Sequence, residues 1–384
     1  MTKVLEGVRV IEHGTFITGP CAAMILADLG AEVIKIERPG TGDPFRAFAG
    51  GLYSPHFQAY NRSKKSVALD TRTDEGLGLF DELIGSADVY LQNFRPGVAQ
   101  KLGCGSERLM ALNERLIYCS ISGFGSHGPE VDRPTYDTVA QAISGYLSMF
   151  IMPDDPHVVG PAAADTITGF TAACGILGAL HERNKTGKGR LVETSMLESM
   201  MYFSTEHYSR YFVTGEVAGP YDRSKLAQSY AMRCKDGKLV ALHLSSPEKF
   251  WESLIKAVER PDLAKDPRFS SRMARVENQP ELRLELMKEF AKRPQAEWLD
   301  ILRANDVPYS PVNALDEVLL EPQVKHLQIE RHLEHPTQGR LRAIRRPIVY
   351  DGDQESIEVL PAPILDEHGA EIRATAAAAK GAKD

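Results

Sequence analysis

An acidic residue set before a long run of small side chains is the first place in this sequence where chemistry could be done. Asp165 precedes TITGFTAACGILGAL and follows Gly160-Pro161-Ala162-Ala163-Ala164, a stretch with no bulky or charged side chain. By position it reads as a helix N-cap, a role worth about 1 kcal/mol. The same position leaves open space around the carboxylate and turns it toward backbone N–H groups and the positive end of the helix. Both favour the ionised, nucleophilic form. Capping and catalysis are compatible. Asp137, in RPTYDTVAQAISG, is the next candidate, and taken alone it reads as an acidic residue in a first helical turn.

Groups able to hold a phosphorylated ligand lie earlier in the chain. The first strand-to-helix loop, HGTFITGP, lacks the Gly-x-Gly-x-x-Gly spacing that lets a backbone approach a pyrophosphate, which argues against NAD or FAD. Arg38 directly follows the second strand, where a guanidinium fork could reach a phosphate or simply lie in water beside Pro39. Asn93-Phe94-Arg95-Pro96-Gly97 offers an amide, an aromatic face and a cation together, suited to a purine and its phosphates, although a Pro-Gly turn would read the same. Arg62, Lys64, Lys65 and Arg72 add positive potential nearby.

Other chemistries lack support. Gly187-Lys188-Gly189 has no Ser or Thr after the lysine and reads as a tight turn. The 11 histidines include no His-Glu-x-x-His pair, and Ser122 is not in a Gly-x-Ser-x-Gly elbow. The 5 cysteines are scattered without metal-ligand spacing, so neither a metal site nor a disulfide framework is expected.

The elements that must position these residues alternate. Val8–Glu12 reads as a strand, Thr15–Gly19 as a loop, Pro20–Leu29 as a helix opened by proline, and Ala31–Glu37 as a second strand, together a βαβ unit. The pattern continues with a helix over Asp74–Ile84, a strand at Asp88–Gln92, a helix near Ser106–Leu112 and a strand at Leu116–Ser120. Such alternation implies an α/β fold with a doubly wound, mostly parallel sheet. Helices at Tyr136–Met149 and Asp165–Glu182 follow, and a strand and helix over Leu191–Phe212 close a large domain at residues 1–213. Residues 214–324 read as a linker and a smaller α+β domain, residues from about 325 return as short strands and turns, and ATAAAAKGAKD (374–384) has little reason to be ordered.

With 384 residues, 43% of them hydrophobic, the chain can bury a sizeable core. A net charge of −7 argues against broad binding to nucleic acid or an anionic membrane surface. The apolar stretch around Phe170–Leu180 reads as too short and interrupted to span a bilayer. MTKVLEGVRVIEHG enters a strand pattern at once, without the features of an export signal, so a reducing, cytoplasmic setting is expected.

These signals occur in an order that resembles the class III CoA transferase family, which includes formyl-CoA transferase, bile-acid and carnitine CoA transferases and the related α-methylacyl-CoA racemase. The resemblance runs from about Leu5 to Pro363. It rests on LADLGAEVIKIERPGTGDPFR, SKKSVALDTRTDEG, ADVYLQNFRPGV, RPTYDTVAQAISG, GPAAADTITGFTAACGILGALHERNKTGKGR and HLEHPTQGRLRAIRRP. It implies that Asp165 is a nucleophile forming mixed-anhydride and aspartyl-CoA thioester intermediates, with Asp137 in support. It further implies CoA contacts at Ile17, Thr18, Arg38, Leu69, Arg72, Asn93, Phe94, Arg95, Lys101, Tyr136 and Asp137. CoA or acyl-CoA would be a substrate, with no permanently bound cofactor and no metal. The fold implied is a Rossmann-like large domain completed by the C-terminal segment, a small domain, and an interlocked homodimer.

Two departures from the family patterns matter. The racemase branch has a histidine directly before the acidic residue of its helix, where Tyr136 stands here, so α-proton abstraction lacks one of two proton carriers. The glycine run that covers the active site of formyl-CoA transferase has no counterpart around Tyr221–Tyr230, so oxalate and formate specificity does not carry over. An acyl-CoA racemase, and a noncatalytic CoA-binding protein on the same fold, are the competing readings. Arg133, Arg223, Lys225 and Arg233 lie near segments expected to border the acyl pocket and favour a small dicarboxylate, such as succinate, as one partner.

Overall fold

The computed structural model describes residues 3–152, 154–354 and 358–381. The chain divides into two compact units, one from residues 1–147, 157–209 and 323–384, the other from residues 148–156 and 210–322.

In the first unit the elements run β1 (Arg9–His13), α1 (Thr18–Asp28), β2 (Glu32–Glu37), α2 (Pro55–Asn61), β3 (Lys65–Ala68), α3 (Asp74–Gly85), β4 (Val89–Gln92), α4 (Val98–Lys101) and α5 (Ser106–Leu112). After these come β5 (Ile117–Ser122), α6 (Asp137–Ile143), α7 (Ala163–Thr186), β6 (Leu191–Ser195) and α8 (Met196–Phe203). The strands form one sheet in the order β3-β2-β1-β4-β5-β6, and every neighbouring pair is parallel. Successive residues of a strand face opposite sides, which explains the near-continuous apolar runs. Val10, Val33, Leu91 and Ile121 join Leu26 of α1 and Ile176 of α7 in one core, while Ile11, Ile36, Val67 and Tyr90 join Phe80 of α3 and Leu109 of α5 in the other.

The small residues of α7 serve its approach to α1. A Cβ on Gly169 would lie 2.7 Å from Cys21 Cβ and 3.0 Å from the Thr18 carbonyl oxygen, so no larger residue fits. At 24 residues α7 exceeds the Phe170–Leu180 stretch read from the sequence. By length and composition it alone among the described residues could cross a membrane. Its buried face packs on α1 and the sheet.

Several expectations need correction. The strand β3 escapes the sequence reading because KSVA is short and opens on lysine, and α2 and α4 escape it likewise. The helix expected over Tyr136–Met149 ends at Ile143, and the loop expected through Gly19 gives way to helix at Thr18. The C-terminal stretch expected to lack order is a helix, Gly369–Gly381; residues 382–384 lie outside the described residues. Its alanines have high helix propensity, and it is anchored where Ile372 enters the core beside α3. Arg373 Nη2 donates to the Ala68 carbonyl (2.8 Å), and Asp366 Oδ1 accepts from Ala68 N–H (2.7 Å). The free edge of β3 is thereby covered. A two-stranded antiparallel hairpin, Glu330–His335 with Gly339–Ile344, also belongs to this C-terminal segment.

The second unit is α+β. Three antiparallel strands, Ser229–Arg233, Leu239–His243 and Tyr309–Pro311, pack with helices Glu248–Ala257, Gln279–Phe290 and Gln295–Ala304. Its core centres on Trp251, Leu286 and a stacked Phe290–Trp298 pair with ring centroids 4.4 Å apart.

Candidate active site

The order of the parallel sheet reverses between β1 and β4, so the loops leaving their carboxyl ends diverge and open a crevice. Asn93, the first residue after β4, ties the two loops together. Thr15 N–H donates to its Oδ1 (2.9 Å), and its Nδ2 donates to the Thr15 carbonyl and to Thr18 Oγ1 (both 2.8 Å). Phe16, between them, takes a left-handed backbone conformation (φ 61°), unusual for an aromatic residue and typical of functional loops.

A cavity of about 630 Å³ opens over this crevice. Of the candidates named above, Ile17, Thr18, Asn93, Phe94, Arg95, Tyr136 and Asp165 line it. Arg133 lines it as well, whereas Arg223, Lys225 and Arg233 belong to the other unit. The sequence reading passed over Phe16, Phe45, Phe48 and Met196, which supply much of the apolar wall. An aromatic side chain inside the first βα loop was the available signal for Phe16. Its ring meets Phe45 edge-on at 5.2 Å and Tyr136 at 5.9 Å.

Arg38, Leu69, Arg72 and Lys101 are not among the described lining residues. Arg38 follows β2, and Leu69 and Arg72 follow β3, so they continue the same carboxyl edge of the sheet. With neighbouring strands about 4.8 Å apart, the row from β3 to β4 is roughly 14 Å long. Arg72 makes a two-point ion pair with Asp70 (2.7 and 2.8 Å), which with nearby Arg38 holds the Asp70 carboxyl down at about 2. Leu69 faces a separate cavity of about 530 Å³ beside α3, and Lys101 is exposed on α4. A guanidinium row leading away from a reactive pocket suits an elongated ligand with its charged end remote from the carboxylate.

The basic cluster read as free positive potential is largely spent on structure. Lys64 is buried and pairs with Glu12 at 2.7 Å, Arg62 pairs with Asp28, and Lys65 with Glu32 and Glu371.

Asp165 differs from expectation in two respects. It is the third residue of α7, not its cap: the N-cap is Ala162, which has no capping side chain. The capping acceptor comes from α6 instead, where Asp137 Oδ1 accepts from Ala164 N–H (2.8 Å) and Asp165 N–H (3.4 Å), and Gln141 Nε2 donates to Asp137 Oδ2 (2.6 Å). The N–H groups expected to hold Asp165 ionised are thus occupied by another carboxylate. No described residue donates a hydrogen bond to the Asp165 side chain. Burial, and then the Asp137 charge, push its carboxyl up to about 7. Asp165 is therefore half-buried, unliganded and poised near neutrality, which fits a nucleophile better than a structural cap.

No histidine is among the described lining residues. His13 sits behind the loop, its ring 4.8 Å from Phe94, and burial with Lys35 nearby lowers it to about 4, so it is neutral at pH 7. No group of three or more metal-ligating side chains occurs among the described residues.

Residues 5–369 match the model of CoA-transferase family III. The chain belongs to this family. Among relatives of the family III chain, it is 34% identical over 372 residues to a mouse protein named succinyl-CoA:glutarate CoA-transferase, covering 95% of this chain and 85% of that one. It is likewise 34% identical over 380 residues to an acetyl-CoA:oxalate CoA-transferase of Acetobacter aceti, covering 96% and 94% respectively. Among solved structures, a CAIB/BAIF family protein from Brucella suis superposes with a TM-score of 0.85 at 31% identity, covering 98% of this chain and all of that one. As a family III CoA-transferase, the protein moves CoA between an acyl-CoA and a carboxylic acid.

Proposed function

We propose that this transferase passes CoA from an acyl-CoA donor to a small dicarboxylic acid through covalent intermediates on Asp165. The observation that carries this reading is the Asp165 carboxylate itself, half-buried, free of described hydrogen bonds and facing the cavity between the β1 and β4 loops. Its attack on the donor thioester carbonyl breaks the C–S bond and gives a mixed anhydride and CoA thiolate. The thiolate attacks the aspartyl carbonyl, expels the donor acid as its carboxylate and leaves an aspartyl-CoA thioester. The acceptor carboxylate attacks that thioester to form a second anhydride, and returning thiolate takes the acceptor acyl group, restoring Asp165. No proton or electron is consumed over the cycle. Each acyl transfer proceeds from an activated carbonyl, as covalent catalysis requires.

CoA acts as substrate, its thiol end at Ile17, Thr18 and Asn93 and its phosphates toward Arg38 and Arg72. Arg133 and Arg95 are the cations of the cavity and would hold the far carboxylate of a diacid. Relatives named for succinyl-CoA with glutarate or mesaconate support a dicarboxylate partner. A homodimer, as the resemblance implies, would bury exposed apolar side chains such as Tyr202 and Phe203 at the end of α8, 80% and 58% exposed.

The test is incubation with succinyl-CoA and a panel of carboxylic acids, following new thioesters by mass spectrometry, with Asp165→Ala in parallel. New acyl-CoA species from the native protein, reduced at least about a thousandfold in the variant, are expected. Exchange of an acyl-CoA α-hydrogen with deuterated solvent, without any new thioester, would replace the transferase reading by the racemase one.

A further inference from the structure

Behind the first loop lies a chain of buried charges that makes no contact with the cavity. Glu12 Oε1 pairs with Lys35 (2.8 Å) and its Oε2 with Lys64 (2.7 Å), and Lys35 also meets Asp43 Oδ2 (3.0 Å). All four side chains are nearly or wholly buried. Removing charges from water is expensive, and a core of aliphatic residues would commonly be at least as stable, so stability alone is a weak account of this group.

Its outer end provides another account. Asp43 Oδ1 accepts from Phe16 N–H (3.2 Å) and from Phe45 N–H (2.9 Å), and Lys35 Nζ donates to the Gly14 carbonyl (2.8 Å). Phe16 is thus held through its own N–H and through the Gly14 carbonyl just before it, in a left-handed backbone conformation that a free aromatic residue seldom adopts. Phe45, the second residue of the 3₁₀ turn Pro44–Ala47 that Asp43 caps, is fixed by the same oxygen. The two rings meet edge-on and form the cavity wall beside Tyr136.

We infer that Asp43 is a positioning residue for acyl-CoA binding: through Phe16 and Phe45 it sets the apolar wall of the reactive pocket, with Lys35 as its counter-ion. It touches no substrate. The inference rests on reading this cavity as the thioester site. A wall held by hydrogen bonds to a buried charge is pre-organised, so substrate binding need not order the loop.

The test compares Phe16→Gly, the doubly substituted Asp43→Ala/Lys35→Met, which removes the acceptor oxygen as well as both charges, and their combination, using succinyl-CoA as donor. Glycine tolerates the backbone conformation of Phe16 while removing its ring, and the paired change removes two opposite charges and leaves Glu12 matched to Lys64. Both should raise KM for the acyl-CoA by about tenfold or more with a smaller change in kcat. Combining them should give less than a multiplicative effect, because the Asp43 change acts in part through the Phe16 ring. Multiplicative effects, or an unchanged KM in the Asp43→Ala/Lys35→Met protein at native Tm, would overturn the inference. If that protein fails to fold, Phe16→Gly alone decides: an unchanged KM overturns it. Absence of transfer by the native protein would instead count against the proposed function.

Discussion

Two aspartates of the same charge have opposite fates because of their hydrogen bonds. Asp137 is saturated by two backbone N–H groups and Gln141, whereas Asp165, one helical turn away from the same cap, receives none and is raised to about 7. The group must be ionised to attack, so kcat/KM should rise with pH through about 7, as measured by initial rates between pH 5 and 9. In Asp137→Asn the limb should move to lower pH, because a like charge is lost while the amide oxygen still caps α7. The shift should be partial, since burial is the larger cause. The same raised pKa bears on stability. Between about 4 and 7 the folded protein holds a proton on Asp165 that the unfolded chain releases, so this group's contribution falls as pH rises through that window. Asp165→Asn should therefore be more stable than the native protein at pH 8, on the order of 2 kcal/mol, and the gap should narrow toward pH 5. Thermal unfolding at the two pH values checks this.

At the scale of elements, the placement of Asp165 depends on how closely α7 lies on α1. Gly169, one turn beyond Asp165, permits that approach, and the space a Cβ would need is taken by Cys21 and the Thr18 carbonyl. Gly169→Ala should destabilise the first unit by about 1–3 kcal/mol through overpacking, read as a drop in Tm. Because Thr18 lines the cavity, the same change should also lower kcat/KM. The β1 and β4 loops show the complementary principle. Their joint geometry is set by one amide, Asn93, whose donor and acceptor are both used, so a loop of ordinary residues holds a defined shape without a glycine-rich motif.

At the scale of the molecule, the C-terminal segment completes the first unit by closing the edge of the sheet. Ile372, 5% exposed, enters the core beside α3, while Arg373 and Asp366 satisfy the edge strand. Ile372→Ala should cost about 2–4 kcal/mol and expose an unpaired strand edge when the helix frays, measurable as a lower Tm with increased light scattering.

Much of this was legible in the chain because it is local. Strand and helix alternation dictates the parallel sheet, and the small-residue run after Asp165 marks a helix in close contact with a neighbour. Asp165 and Asn93 were visible by residue type and setting, and Tyr136 through the family resemblance. What only the tertiary structure decided depends on residues distant in sequence. That Asp165 is buried beside Asp137, twenty-eight positions earlier, raises its carboxyl to about 7 where a fully ionised group was expected. That Lys64 and Lys35 share Glu12 turns an apparent basic surface into a buried scaffold. That Ile372 finds the α3 core makes a helix of a tail. Sequence pattern reports the preferences of neighbouring residues, whereas hydrogen-bond partners, desolvation and burial are set by whatever the fold brings alongside.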